Sequence, residues 1–155
     1  MTAQLHYDIV GSFLRPQALK EAREQFAAGQ LSKADLTKVE DAQIKELVQK
    51  EAAAGLKVVT DGEFRRSYWH LDTFWGFGGI KHTTQTHGYF FHDEETRNDS
   101  AQVEGKIRFT GEHPDLTALK YLKSLTDGTD LTPRQSIPSP AQCYAELYQI
   151  GRAHV

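Results

Sequence analysis

An α/β fold built on parallel strands, in an open sheet or a (β/α) barrel, is predicted by three features of the sequence. A β-prone run ends at Gly11-Ser12, two helical stretches follow, and a second β-prone run starts directly after the stop at Gly55. Strand, helical crossover and strand make the repeating unit of both architectures. The third feature is chemical. Function collects at the C-terminal ends of such strands, and here those ends read Val10-Gly11-Ser12-Phe13-Leu14-Arg15-Pro16 and Thr60-Asp61-Gly62-Glu63-Phe64-Arg65-Arg66.

The first strand is predicted over residues 6–13. Pro16 then takes a first helical position, where its missing N–H removes nothing the helix needs. Leu19, Ala22 and Phe26 recur at helical spacing, and Gly29 ends the stretch. Ser32 with Asp35 forms a capping-box pattern. From there Leu36, Val39, Ile44, Leu47 and Val48 carry an apolar stripe toward Gly55. Seven basic and seven acidic residues lie between Arg15 and Gly55, a balance that reads as a solvated helical face. Residues 56–60, centred on Val58 and Val59, predict the second strand.

Between Gly76 and Thr110 the helical period disappears. Tyr89 and Phe91 alternate, as do Val103, Ile107 and Phe109, and the polar run 93–100 between them caps a predicted β-hairpin excursion. Residues 115–125 predict a short helix with Leu116, Leu119, Leu122 and Leu125 inward. A buried strand over 132–137, a break at Pro138-Ser139-Pro140 and a helix over 141–148 complete the reading.

With 155 residues the chain has the length of about one domain. Eighteen basic against 21 acidic side chains leave a net charge of −3, without the basic excess of a nucleic-acid binder. A single cysteine permits neither an internal disulfide nor a CxxC metal site, which points to a reducing, cytoplasmic setting. No apolar stretch approaches the roughly 18 residues of a membrane span. Small molecules are the predicted partners, and oligomeric state is not encoded in any motif.

His82, His87 and His92 recur every five residues in a predicted strand region, a spacing that does not converge on a metal, and no HExxH pattern occurs. They read as exposed or singly bonded histidines. Cys143 reads as a buried, unactivated thiol. The Asp61-Gly62-Glu63 cluster has two readings. One is a solvated turn with a local ion pair to Arg65 or Arg66. The other is a clamp for a zwitterion, in which carboxylates take an ammonium group while arginines or backbone N–H groups take a carboxylate. Gly62 would let the backbone approach such a ligand closely.

The order of Val10 to Pro16, Glu40-Asp41, Val59 to Arg66 with Trp69, and Ile137-Pro138-Ser139-Pro140 resembles the cobalamin-independent methionine synthase family, in particular its short single-barrel members. The likeness runs to about residue 149. It implies a TIM-type (β/α)8 barrel of the uroporphyrinogen-decarboxylase/methionine-synthase type, here truncated to roughly its first half. It also implies zinc-assisted methyl transfer from a methyltetrahydrofolate-type donor to the thiol of homocysteine. By the same resemblance, Gly11 and Ser12 match the turn that holds the carboxylate end of homocysteine, and Glu63 matches the glutamate that takes its amino group. Asp61, Arg15, Arg66 and Trp69 fall on the same substrate pocket, and Pro138, Ser139 and Pro140 on the folate-side rim.

One departure bears on mechanism. The family holds zinc through a His-x-Cys pair, a later carboxylate and a second cysteine, and this chain has no His-x-Cys. The zinc ligands are therefore expected outside it. Residues 1–149 are expected to form the front of one barrel domain. Residues 150–155 read as a non-native tail, because that hexapeptide is what a common sequencing-library adapter encodes. Two other readings are a related barrel that alkylates another thiol, such as coenzyme M, and a non-catalytic binding module.

Overall fold

The structure, a computed structural model, describes residues 9–88 and 90–152. In chain order it contains α1 (Gln17–Ala27), α2 (Lys33–Ala53), β1 (Val58–Val59), α3 (Leu71–Trp75), β2 (Gly78–Thr84), β3 (Phe90–Phe91), β4 (Glu94–Glu95), β5 (Asp99–Arg108), α4 (Pro114–Thr126), β6 (Thr132–Pro133) and α5 (Pro140–Arg152). The elements are mixed α/β. Among the described residues the strands form three two-stranded sheets, β1–β6, β2–β5 and β3–β4. The chain divides into two compact units, one holding the residues up to Arg66 with Ala118–Ser136, the other Ser67–Thr117 with the residues from Ile137 onward.

In the first unit, Pro16 sits one position ahead of its predicted place. It caps α1, its carbonyl accepting from Leu19 N at 3.0 Å and Lys20 N at 3.1 Å. At α2 the predicted cap is present, with Ser32 Oγ accepting from Asp35 N at 3.1 Å. The Ser32 hydroxyl in turn donates to the Asp35 carboxylate at 2.7 Å, a shortened form of the capping box. Leu36, Ile44, Leu47 and Val48 are buried as the stripe predicts. Leu19, Ile44, Leu47, Val48, Val59, Phe64 and Leu122 make the core. The solvated-face reading of α2 needs correction, because Glu40 and Glu51 are each only 2% exposed.

β1 and β6 pair in parallel, Val58 opposite Thr132 and Val59 opposite Pro133. Thr132 N donates to Lys57 O at 2.7 Å and Arg134 N to Val59 O at 2.9 Å. A parallel ladder draws on alternate N–H groups, so the missing donor of Pro133 falls between the two bonds and costs nothing here. Both strands are shorter than predicted. Of the predicted strand 6–13, residues 6–8 lie outside the described residues, and residues 9–13 carry no strand. Gly11 at φ +82° interrupts the extended run, and Phe13 N instead donates to Gly62 O at 3.2 Å.

In the second unit, Leu71, Phe74, Ile80, Ala101 and Leu147 form a separate core. The short helix α3 was not predicted, since five residues are too few to display a period. The β excursion is a hairpin, but its long arms are β2 and β5, with Ile80 opposite Val103 and Thr84 opposite Asp99. The smaller β3–β4 pair stands where a simple polar cap was predicted, and Tyr89 lies outside the described residues. Val103, Ile107 and Phe109 are exposed, while Ala101, Ser100 and Ile80 are buried. The irregularity between Gly78 and Ile80 shifts the register, and one residue of slip exchanges the faces of a strand. Leu116 likewise points outward on α4, whereas Leu122 is fully buried. No helix among the described residues is long and apolar enough to cross a membrane.

Candidate functional site

The C-terminal end of β1 leads into a turn whose polar groups are bonded from both sides. Glu51, in the last turn of α2, accepts from Thr60 N at 3.1 Å through Oε2 and from the Thr60 hydroxyl at 3.2 Å through Oε1. Thr60 Oγ1 then accepts from Gly62 N at 3.2 Å, and Asp61 Oδ1 accepts from Glu63 N at 2.9 Å. Asp61 is only 4% exposed, so its carboxylate shapes the turn rather than meeting solvent. Burial pushes the Glu51 carboxyl above its ordinary value, and the Thr60 bonds offset part of the rise.

Glu63 is held in the left-handed region at φ +57°, uncommon for a residue with a Cβ. Such conformations persist where surrounding bonds over-determine them, and they gather at functional sites. Here the bonds are visible. Arg15 Nη2 donates to the main-chain carbonyl of Glu63 at 3.0 Å and to that of Arg66 at 2.7 Å. Arg66 N donates to Glu63 O at 3.1 Å. The Glu63 side chain lies 3.5 Å from Arg66 Nη1, and Arg66 also donates to Ser136 O. The predicted residues Gly11, Ser12, Arg15, Asp61, Glu63 and Arg66 thus belong to one unit, in which Phe13 and Arg15 bond the 62–66 turn. Gly11 and Ser12 are exposed.

The neighbouring Arg65 does not share this role. It donates to Glu40 Oε2 at 3.1 Å and to Asp41, and its guanidinium lies 5.2 Å from the Tyr121 ring centroid. Tyr121 in turn donates to Asp41 O at 2.8 Å. Arg23 Nη1 donates to Phe64 O at 2.8 Å and lies 3.9 Å from Glu40. Glu40-Asp41 therefore anchors the far side of the turn. Glu40 and Glu51 went unrecognised as buried groups, although each falls in phase with Leu36, Ile44, Leu47 and Val48 on the apolar face of α2. A cavity of about 300 Å3 lies behind the turn, lined by Phe13, Leu14, Pro16, Leu47, Glu51 and Phe64 among others. Neither Ser12 nor Glu63 lines it.

Trp69, Pro138, Ser139 and Pro140 belong to the second unit. Trp69 is half-exposed and rests on His70, with ring centroids 4.6 Å apart. Ser139 caps α5, its Oγ accepting from Gln142 N at 3.0 Å and its carbonyl from Cys143 N at 3.1 Å. Burial pushes the Cys143 thiol up. His82 bonds Asp99 at 2.7 Å and His87 lies 3.3 Å from Glu95, so both are singly bonded. Among the described residues no group of three His, Cys, Asp or Glu is placed to hold a metal ion.

Residues 6–75 match the family described as the catalytic domain of cobalamin-independent synthases. YxjH and YxjG, uncharacterized proteins of Bacillus subtilis (strain 168), are each 41% identical to the chain, over 138 and 133 residues. These matches cover 89% and 86% of the chain but 36% and 34% of the relatives, so the chain spans about a third of their length. A structure from Listeria monocytogenes, provisionally described as a vitamin-B12 independent methionine synthase, superposes with a TM-score of 0.74 at 36% identity, covering 94% of this chain and 40% of that one. A B12-independent methionine synthase from Shewanella sp. W3-18-1, in complex with selenomethionine, is similar in fold, with a TM-score of 0.56 at 17% identity over 76% of this chain and 33% of that one. Over residues 6–75 the chain thus matches the catalytic domain of cobalamin-independent synthases, and its likeness of fold to the Listeria monocytogenes structure extends beyond them.

Proposed function

We propose that the complete gene product moves a methyl group from a methyltetrahydrofolate-type donor to the thiol of homocysteine, and that this chain supplies the amino-acid end of the site. The observation that carries the reading is Glu63. This partly buried carboxylate sits on a residue in a left-handed conformation just after a strand. Its turn is bonded through the main chain by Phe13 N and Arg15, next in sequence to the exposed Gly11-Ser12 pair. That pairing suits a zwitterion, with the ammonium on the Glu63 carboxylate and the carboxylate on the main chain and hydroxyl at Gly11 and Ser12. Arg66 balances the Glu63 charge when no ammonium is bound. The parallel β1–β6 pair supports a (β/α)8 barrel in which these are adjacent strands. Pro138, Ser139 and Pro140 would lie on the folate-side rim, with Trp69 at the substrate pocket, and the setting would be cytoplasmic.

The described residues do not fit a zinc site, since no trio of ligating side chains converges. The test is calorimetric titration of homocysteine into the complete gene product. Glu63→Gln keeps the shape and removes the charge, so affinity should fall by about tenfold to a hundredfold, the worth of a charge-assisted hydrogen bond. Asp61→Asn, which alters a buried turn contact, should do less. Wild-type affinity in Glu63→Gln together with loss in Asp61→Asn would mean that the wrong carboxylate has been chosen.

A further inference from the structure

We infer that Arg15 is a positioning residue that fixes Glu63 against the Gly11-Ser12 segment, and so sets the spacing at which an α-amino acid is recognised. The inference rests on the amino-acid reading above and concerns what holds its two halves in register. Three main-chain carbonyls of the 62–66 turn face the 13–15 segment. Gly62 O takes Phe13 N at 3.2 Å, while Glu63 O and Arg66 O share Arg15 Nη2 at 3.0 and 2.7 Å. Nη2 of the guanidinium is thereby committed to backbone, which suits a positioning role better than the substrate contact that the resemblance implies. A carbonyl accepting a charged donor is held more firmly than one facing water. Glu63 O is such a carbonyl, on the residue whose φ of +57° needs outside support.

The neighbouring contacts point the same way. Asp61 Oδ1 fixes the N–H of Glu63 at 2.9 Å, and Arg15 fixes its carbonyl, so both peptide groups of this residue are specified. Only its side chain is left to answer a ligand. Because Arg15 lies three residues after Ser12, the bond that pins Glu63 also pins the segment expected to receive the carboxylate. A fixed spacing of that kind favours an ammonium and a carboxylate on one carbon.

The test is a double-mutant cycle on the complete gene product, with homocysteine affinity read by calorimetry and folding by urea denaturation. Arg15→Ala should weaken homocysteine binding by roughly tenfold to a hundredfold. Arg15→Lys should weaken it less, because an ammonium can reach a carbonyl but lacks the planar fork. In a Glu63→Gln background the penalty of either change should shrink to less than about threefold, since residues acting through one another are not additive. Full multiplication of the single-variant losses overturns the role of Arg15 and leaves the amino-acid site standing, as does wild-type affinity in Arg15→Ala. Wild-type affinity in Glu63→Gln alone removes the amino-acid reading and this inference with it. If Arg15→Ala fails the urea measurement, the Arg15→Lys cycle decides by the same criterion.

Discussion

At Gly62 two constraints meet in one residue. Its φ is +63°, and a Cβ there would lie 2.5 Å from Leu47 Cδ2 and 3.0 Å from Phe64 Cε1. Gly62→Ala should therefore lower stability by about 2–5 kcal/mol, combining left-handed strain of about 1–2 kcal/mol with overpacking of about 1–3 kcal/mol. Gly11 has φ +82° but open space around a built Cβ, so Gly11→Ala should lose only the strain. Urea midpoints of the two variants check this, and equal losses would show that packing at Gly62 relaxes. That Asp61-Gly62-Glu63 forms a turn directly after a strand was legible in the sequence, from charge and glycine following Val58-Val59. What each carboxylate does was not. Asp61 is buried against Glu63 N by contacts that only the folded turn creates, and the main-chain carbonyls that Arg15 and Arg66 meet are likewise set by the fold.

Helix α2 shows how an element can be read correctly in outline and misread in detail. Its cap, its length and its apolar stripe are local properties, and all three were legible. The buried charges were not, because the count of acids and bases carries no phase. Glu51 gives the misreading a measurable consequence. Burial raises its carboxyl above the ordinary 4.5, so the folded chain binds the proton more tightly than the unfolded one. Its stabilisation is fully present below pH 4.5 and is lost as pH rises through the raised value. Glu51→Gln removes that titration, so the stability of wild type minus variant should decline from about pH 4 to pH 7 in urea unfolding. A difference that grows over this range would give Glu51 a depressed value instead. The β2–β5 hairpin failed differently. Alternation at Val103 and Ile107 identified β5 but nothing marked β2, and a register irregularity between Gly78 and Ile80 lies outside any period-2 pattern.

Over the whole molecule, the α/β class was legible from two helices running into the β-prone stretch at Val58-Val59. The strand predicted ahead of them does not form over residues 9–13, and the connection from β1 to its partner was not legible. β1 meets β6 across 74 positions, Val58 to Thr132, whereas Thr84 meets Asp99 across 15. Closing the longer loop costs roughly 1.4 kcal/mol more, about a tenfold handicap in finding the partner. The hairpin should therefore form early and the parallel pair late. In pulse-labelled refolding, the Gln85 amide, bonded to Asn98 O at 2.8 Å, should gain protection before those of Thr132 and Arg134. Simultaneous protection would refute that order. The turn that presents Glu63 hangs from β1, so it shares the timing of the slowest pairing. Chains caught midway would display a finished hairpin and an unfinished 61–66 turn. Mild destabilisation should then silence the amino-acid recognition proposed for Glu63 while most of the secondary structure still stands.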